Sequence, residues 1–147
     1  MKKLIAIAMI GVLAIAVGIS PTMAGKYKKQ KVVYHINYDN PKRQSGALRN
    51  IQNHINAVRA QNLDLRVVIH GKGYTMLKHA NTDANMAGKI DNLKSQGVKF
   101  NICNNTLRGK NIDYKKDLHD VHKEDIVPSG VAELAYLQAK GYAYIKP

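Results

Sequence analysis

The sequence predicts an α/β domain built on a five-stranded, mainly parallel sheet. Five short runs rich in β-branched and aromatic residues alternate with segments whose apolar residues recur at helical spacing. Each intervening segment is long enough to serve as the crossover that parallel neighbours require.

Lys31 to Tyr38 (KVVYHINY) reads as the first strand. Asp39-Asn40-Pro41 is a turn that also starts a helix, in which Leu48, Ile51, Ile55 and Val58 form one buried stripe running through to Ala60. Leu63 to His70 (LDLRVVIH) is the second strand, closed by Gly71-Lys72-Gly73. A helical turn around Tyr74 to His79 follows. Thr82 or Asp83 then caps a helix that turns Met86, Ala87, Ile90 and Leu93 inward and ends before Gly97. Val98 to Ile102 is the third strand, and Leu107 to Asp120 holds one or two short helices. Asp125 to Val127 is a short fourth strand. Pro128 and Ser129 open a helix with Val131, Leu134, Ala135 and Leu137 on one side and Gly141 past its end, and Tyr142 to Ile145 is the fifth strand.

Helices on both faces of such a sheet make a flavodoxin-like three-layer sandwich. In the strand order 2-1-3-4-5 of that class, the first and third strands are adjacent and their carboxyl ends flank the point where ligands bind. Cys103 then sits at one of those ends and the Asn37 to Pro41 turn at the other.

Residues 1–24 carry a separate signal. Met1-Lys2-Lys3 is a basic start, Leu4 to Ile19 is almost purely apolar, and Thr22-Met23-Ala24 ends in a small residue, the pattern of a removable secretory segment. The expectation is a single mature domain, residues 25–147, that is periplasmic or secreted. A retained anchor is the alternative, but the apolar run falls short of the roughly 20 residues of a membrane span, so no stable span is expected after cleavage. Loss of Lys2 and Lys3 lowers the formal charge from +13 to +11. Eleven Lys or Arg face only Asp39 and Asp64 between Gly25 and Thr82, whereas Asp113, Asp117, Asp120, Glu124 and Asp125 crowd one later segment. Such a field draws in anions, and it also serves solubility. The basic residues are scattered, Trp is absent, Phe100 is the sole Phe, and no recognition motif is present, so no nucleic-acid partner is expected.

Cys103 is the only cysteine. In an exported chain it is a reactive thiol, a buried apolar filler, or half of an intermolecular pair. A helix starting at Asn104 would aim its free N–H groups at the sulfur, and Arg108, one turn on, would add positive charge; both favour the thiolate, the form that attacks sulfur. His70, on the same sheet edge, is a candidate acid, base or substrate-orienting group, although the expected order places the first strand between it and Cys103. His35, opposite in facing to Tyr34 and Ile36, reads as a helix-covered or interface residue. His119 and His122 are spaced to offer two nitrogens and a carboxylate to Zn²⁺, yet they match no metal signature, and the reading preferred over a metal site is a solvated surface or a lattice of pairs with Lys115, Lys116 and Lys123. Gly71-Lys72-Gly73 lacks both phosphate-loop patterns and reads as loop geometry. No cofactor or metal is predicted.

The stretch VKFNICNNTLRGKNI, Val98 to Ile112, together with the order of strands and helices from KVVYHINYDNP to DIVPSGVAELAYLQAKGYAYI, resembles the DsrE/DsrF-like family, and its exported branch in particular. The resemblance implies a flavodoxin-like protein assembling as a homotrimer or homohexamer, with Cys103 at the family's sulfur-carrying position. The function expected on that basis is sulfur handling: Cys103 accepts sulfane sulfur as a persulfide or holds a small anionic sulfur species, exchanging with that compound or with a sulfur-carrier protein, as a carrier or sulfurtransferase. A non-catalytic homo-oligomeric scaffold with a structural cysteine is the alternative, and a metal- or redox-linked protein using His119 to Asp125 is a third.

Overall fold

A computed structural model describes residues 26–147; the expected secretory segment lies outside the described residues. Five strands, β1 (Gln30–Ile36), β2 (Leu63–Ile69), β3 (Lys99–Cys103), β4 (Ile126–Val127) and β5 (Ala143–Ile145), pair entirely in parallel. Six α-helices connect them among the described residues: α1 (Pro41–Val58), α2 (Thr75–Ala80), α3 (Ala84–Ser95), α4 (Asn104–Gly109), α5 (Tyr114–Asp117) and α6 (Gly130–Ala139). The predicted class is therefore the observed one: a five-stranded parallel sheet flanked by helices, consistent with a flavodoxin-like fold.

The strand order differs from the expected one. It is β4-β3-β2-β1-β5, so β2 lies between β1 and β3, and the first and third strands are not neighbours. Strand length explains which strands end up inside. β1 and β2 have long apolar stretches that bury on both faces, while β4 and β5, of two and three residues, take the edges. Nothing in residue alternation distinguishes the two orders, because alternation assigns faces and not neighbours.

The order also distributes the helices. Steps from β1 to β4 run one way across the sheet and β5 returns past them, and parallel crossovers are right-handed. One face packs Val32, Tyr34 and Ile36 of β1 against Leu48, Ile51 and Ile55 of α1, Met76 and Leu77 of α2, and Ile90 and Leu93 of α3. The other packs Val33 and Val68 against Leu134 and Leu137 of α6 and against Tyr142. Each fully buried Ile or Leu of the first cluster stabilises the fold by about 1.5–3 kcal/mol relative to exposure.

Local chemistry sets the boundaries. Asn40 caps α1, its Oδ1 accepting from the Arg43 N–H at 2.9 Å, with Pro41 in the first turn where its missing N–H costs nothing. Asp83 caps α3 and Ser129 caps α6, as the sequence indicates. Gly73 is required by close approach: a Cβ there would lie 2.2 Å from the Ile36 carbonyl oxygen. That contact accounts for the Gly71-Lys72-Gly73 turn as loop geometry.

Every strand shifts at one or both ends by a residue or two. β1 stops at Ile36, leaving Asn37 and Tyr38 in the turn, β3 runs to Cys103, and Asp125 belongs to a 3₁₀ turn before β4. The inward face of α6 is also rotated from the expected one: Gly130, Leu134 and Leu137 are buried, while Ala135 is exposed and Val131 is 65% exposed. Without a side chain, Gly130 lets the first turn of α6 lie directly on the sheet, and positions four and seven residues on then face inward.

Candidate functional site

Pairing of Ile36 with Ile69 and of Ile69 with Ile102 places one row of side chains on the α1 to α3 face. The next residues along, Asn37, His70 and Cys103, therefore form a row at the carboxyl edge of the sheet on the α6 face. Cys103 continues this row to Val127. The expected separation of His70 from Cys103 by the first strand is thus corrected: their strands are direct neighbours.

Cys103 is the last residue of β3 and the N-cap residue of α4, with no loop between strand and helix. Its side chain is a free thiol, 5% exposed. Burial raises the thiol pKa and is the largest single influence on it. The backbone N–H of Gly130, the N–H and hydroxyl of Thr106 and the N–H of Asn105 together outweigh burial, so the pKa lies below its ordinary value. The sulfur makes no hydrogen bond of capping geometry, so these donors act as dipoles directed at it. Two helix starts converge here, α4 from the cysteine's own strand and α6 from the covering layer. Thr106 is held in place because its Oγ1 accepts from the Gly71 N–H at 2.8 Å.

Gly130 is where the layers meet most closely. A Cβ on it would lie 2.8 Å from His70 Cβ, 3.2 Å from Cys103 Cβ and 3.2 Å from His70 Cδ2. This wedge over His70 and Cys103 leaves no room for a side chain at residue 130, and the His70 ring reaches toward β1. His70 Nε2 instead meets His35 Nε2 at 2.7 Å, with the rings stacked 4.7 Å apart, and His35 Nδ1 meets the Tyr144 hydroxyl at 2.6 Å. His35 is 8% exposed. Burial, then the Lys146 ammonium, then His70 push its pKa down to about 4; burial and Lys146 also lower that of His70. The His35 ring is therefore neutral at pH 7. Lys146 itself donates to Asn37 Oδ1.

The structure thus brings together Cys103 and His70, and adds Thr106, Gly130, His35 and Tyr144, which sequence reasoning does not assign to a site. Alternation alone puts His35 on the correct face; what it lacks is strand order. Arg108 is not gathered in. It is exposed, lines a surface hollow with Asn104, Leu107, Asn111 and Ile112, and is not among the groups that chiefly lower the thiol pKa.

The acidic segment departs from the expected helical face. Residues 118–122 are not helical, and the two rings turn to different carboxylates, His119 Nε2 to Asp91 at 2.7 Å and His122 Nε2 to Asp120 at 2.9 Å. Among the described residues no three His, Cys, Asp or Glu side chains converge on one point. A hollow of about 570 Å³ lies at the opposite, amino end of β1 and β2, lined by Lys29, Lys31, Asp64 and Lys140 among others. It is lined by no Cys, Ser, Thr or His, and Asp64 is already engaged by the Tyr142 hydroxyl at 2.6 Å and by Arg66 at 3.3 Å. Ligands of open parallel sheets sit at the carboxyl ends of the strands, which makes the edge carrying Cys103 the candidate site. Among the described residues no helix is long and apolar enough to cross a membrane.

The family model described as the DsrE/DsrF-like family matches residues 31–147. Among solved structures, the chain is similar to MTH1491, a protein of unknown function from Methanobacterium thermoautotrophicum. The two are 30% identical with a TM-score of 0.69, over 81% of this chain and 100% of that one. A search of curated proteins returns no match.

Proposed function

The chain belongs to the DsrE/DsrF-like family, which is associated with sulfur relay, and from that premise we propose that Cys103 is a sulfur-carrying thiol that accepts sulfane sulfur as a persulfide. One observation carries the reading: backbone N–H groups from two helix starts converge on the only cysteine and lower its pKa against the effect of its burial. A packing cysteine needs no such field, whereas a nucleophilic or persulfide-bearing sulfur needs negative charge to be stabilised. The same N–H groups suit the terminal sulfur of a persulfide or a small anionic sulfur compound, and the basic surface favours that anion's approach.

The finer parts of the reading follow from the sequence. The basic, apolar and small-residue pattern of residues 1–24 supports export to the periplasm or beyond. The outward face of α6 supports assembly as a homotrimer or homohexamer, since Val131, Ala135 and Tyr136 leave apolar surface on the helix that covers that face among the described residues. That face also supports the second reading, a homo-oligomeric scaffold in which Cys103 is structural.

Intact-mass analysis after exposure to polysulfide or thiosulfate separates the two. The sulfur-carrier reading expects added sulfur masses that reductant reverses and that Cys103→Ser lacks. Unmodified folded protein beside a reactive denatured control would hand the lead to the scaffold.

A further inference from the structure

Four strands each contribute one residue to a line across the carboxyl edge of the sheet: Tyr144 from β5, His35 from β1, His70 just after β2, and Cys103 from β3. Two short hydrogen bonds join the first three, at 2.6 Å and 2.7 Å. We propose that Tyr144, His35 and His70 form a proton relay between solvent and the sulfur exchanged at Cys103. This rests on the reading of Cys103 as an exchanging thiol.

The bonding pattern allows two settings. In one, Tyr144 O–H donates to His35 Nδ1, His35 Nε2–H donates to His70 Nε2, and the proton of His70 is on Nδ1. In the other, His70 Nε2–H donates to His35 Nε2, His35 Nδ1–H donates to the Tyr144 oxygen, and His70 Nδ1 is bare. Passing from the first to the second releases the His70 Nδ1 proton at the sulfur end while Tyr144 takes one from solvent, and the reverse passage carries a proton from the sulfur end out to solvent, with no charge left on the two rings. That economy matters because Lys146 is the cation facing both rings, and together with burial it opposes an imidazolium. The two ends of the line suit the task. Tyr144 is 42% exposed, and the His70 side chain, bonded through Nε2, makes no capping bond to the helical turn that follows it.

The relay supplies what Cys103 lacks. When the thiolate attacks the outer sulfur of a persulfide R–S–SH, a new S–S bond forms at Cys103, the donor S–S bond breaks, and its electron pair leaves on RS⁻. His70 Nδ1–H protonates that leaving thiolate, His35 passes its proton to His70, Tyr144 passes its proton to His35, and water restores Tyr144. The reverse sequence removes the proton of an acceptor thiol. The N–H groups around Cys103 stabilise the nucleophile but have no proton to give, so without the relay RS⁻ leaves unprotonated.

The test uses two disulfides with the full chain, followed at neutral pH. Hydroxyethyl disulfide releases a basic alkyl thiolate that gains from protonation, whereas dithiodipyridine releases a weakly basic one that does not. Tyr144→Phe, which keeps the ring, and His35→Gln are expected to slow reaction with hydroxyethyl disulfide about tenfold or more and to leave dithiodipyridine little changed. Equal slowing of both probes would overturn the proposal in favour of a purely positioning role, and so would no slowing of either. A folded wild type inert to both probes would overturn it as well. If the leaving-group pattern holds while the wild type takes no sulfur from polysulfide, the relay stands and the sulfur-carrier reading falls.

Discussion

Replacing Gly130 with Ala tests whether the covering helix shapes the thiol. The added Cβ would sit 2.8 Å from His70 Cβ and 3.2 Å from Cys103 Cβ, and both of those atoms are fixed to the ends of sheet strands. Neither neighbour has a flexible tip to move aside, so the first turn of α6 must lift. Overpacking of this kind costs about 1–3 kcal/mol. The gain from removing a helical glycine is about 1 kcal/mol at most and is smaller in a first turn. Gly130 has no positive φ to lose, so no backbone strain enters the balance. The net expectation is destabilisation by about 1–2 kcal/mol, read as a fall of roughly 3–8 °C in melting temperature. Lifting α6 also withdraws the Gly130 N–H, which is the strongest of the groups lowering the Cys103 pKa. Titration of thiolate absorbance should therefore show the Cys103 pKa moving up toward its ordinary value. A variant as stable as wild type with an unchanged thiol titration would refute the argument that α6 seats directly against Cys103 and His70.

Two further predictions concern the groups around the wedge. Thr106→Val removes the acceptor of the Gly71 N–H and one donor toward the sulfur, so it should cost about 1–3 kcal/mol in denaturant unfolding and raise the thiol pKa, while Thr106→Ser should restore both. His35 has a folded pKa of about 4 against 6.5 in the unfolded chain, so the unfolded state takes up the proton first; stability should be complete above pH 6.5 and decline as pH falls toward 4. The loss should reach ~2 kcal/mol after solvent screening at the sheet edge, and His35→Gln should flatten that limb of the pH–stability curve.

Local features are legible in the sequence because they depend on near neighbours in the chain. Asn40, Asp83 and Ser129 have the side chains that cap helices, and each does so. The alternation of Val32 to Ile36 by itself assigns His35 to the face opposite Tyr34. The placement of Cys103 at a strand end, with a helix starting at Asn104, is readable in the same way. Strand order is not, because it depends on which apolar strands need cover on both faces, and that is a comparison among distant segments. The consequence is specific: with the first strand placed beside the third, His70 stands apart from Cys103, and the His35–His70 contact cannot be foreseen. Arg108 departs from expectation for a different reason. A spacing of one helical turn from the cysteine fixes the position of its backbone, but the side chain points to solvent from a helix of six residues.

On the proposed sulfur-carrier reading, the burial of Cys103 decides which sulfur donor the site would fit. At 5% exposure the thiol lies under the start of α6, and the wedge at Gly130 leaves no room for a bulky group between that helix and His70. The start of α6 is also lightly held, because the Ser129 cap reaches the Ala132 N–H only at 3.4 Å. A small inorganic polysulfide needs little displacement of this turn. A sulfur carried on another protein needs the turn to open, and opening withdraws the Gly130 N–H that stabilises the thiolate. Access and activation are therefore opposed through one residue, which favours a compact anionic donor for loading and leaves protein-to-protein transfer dependent on a partner that supplies its own donors to the sulfur.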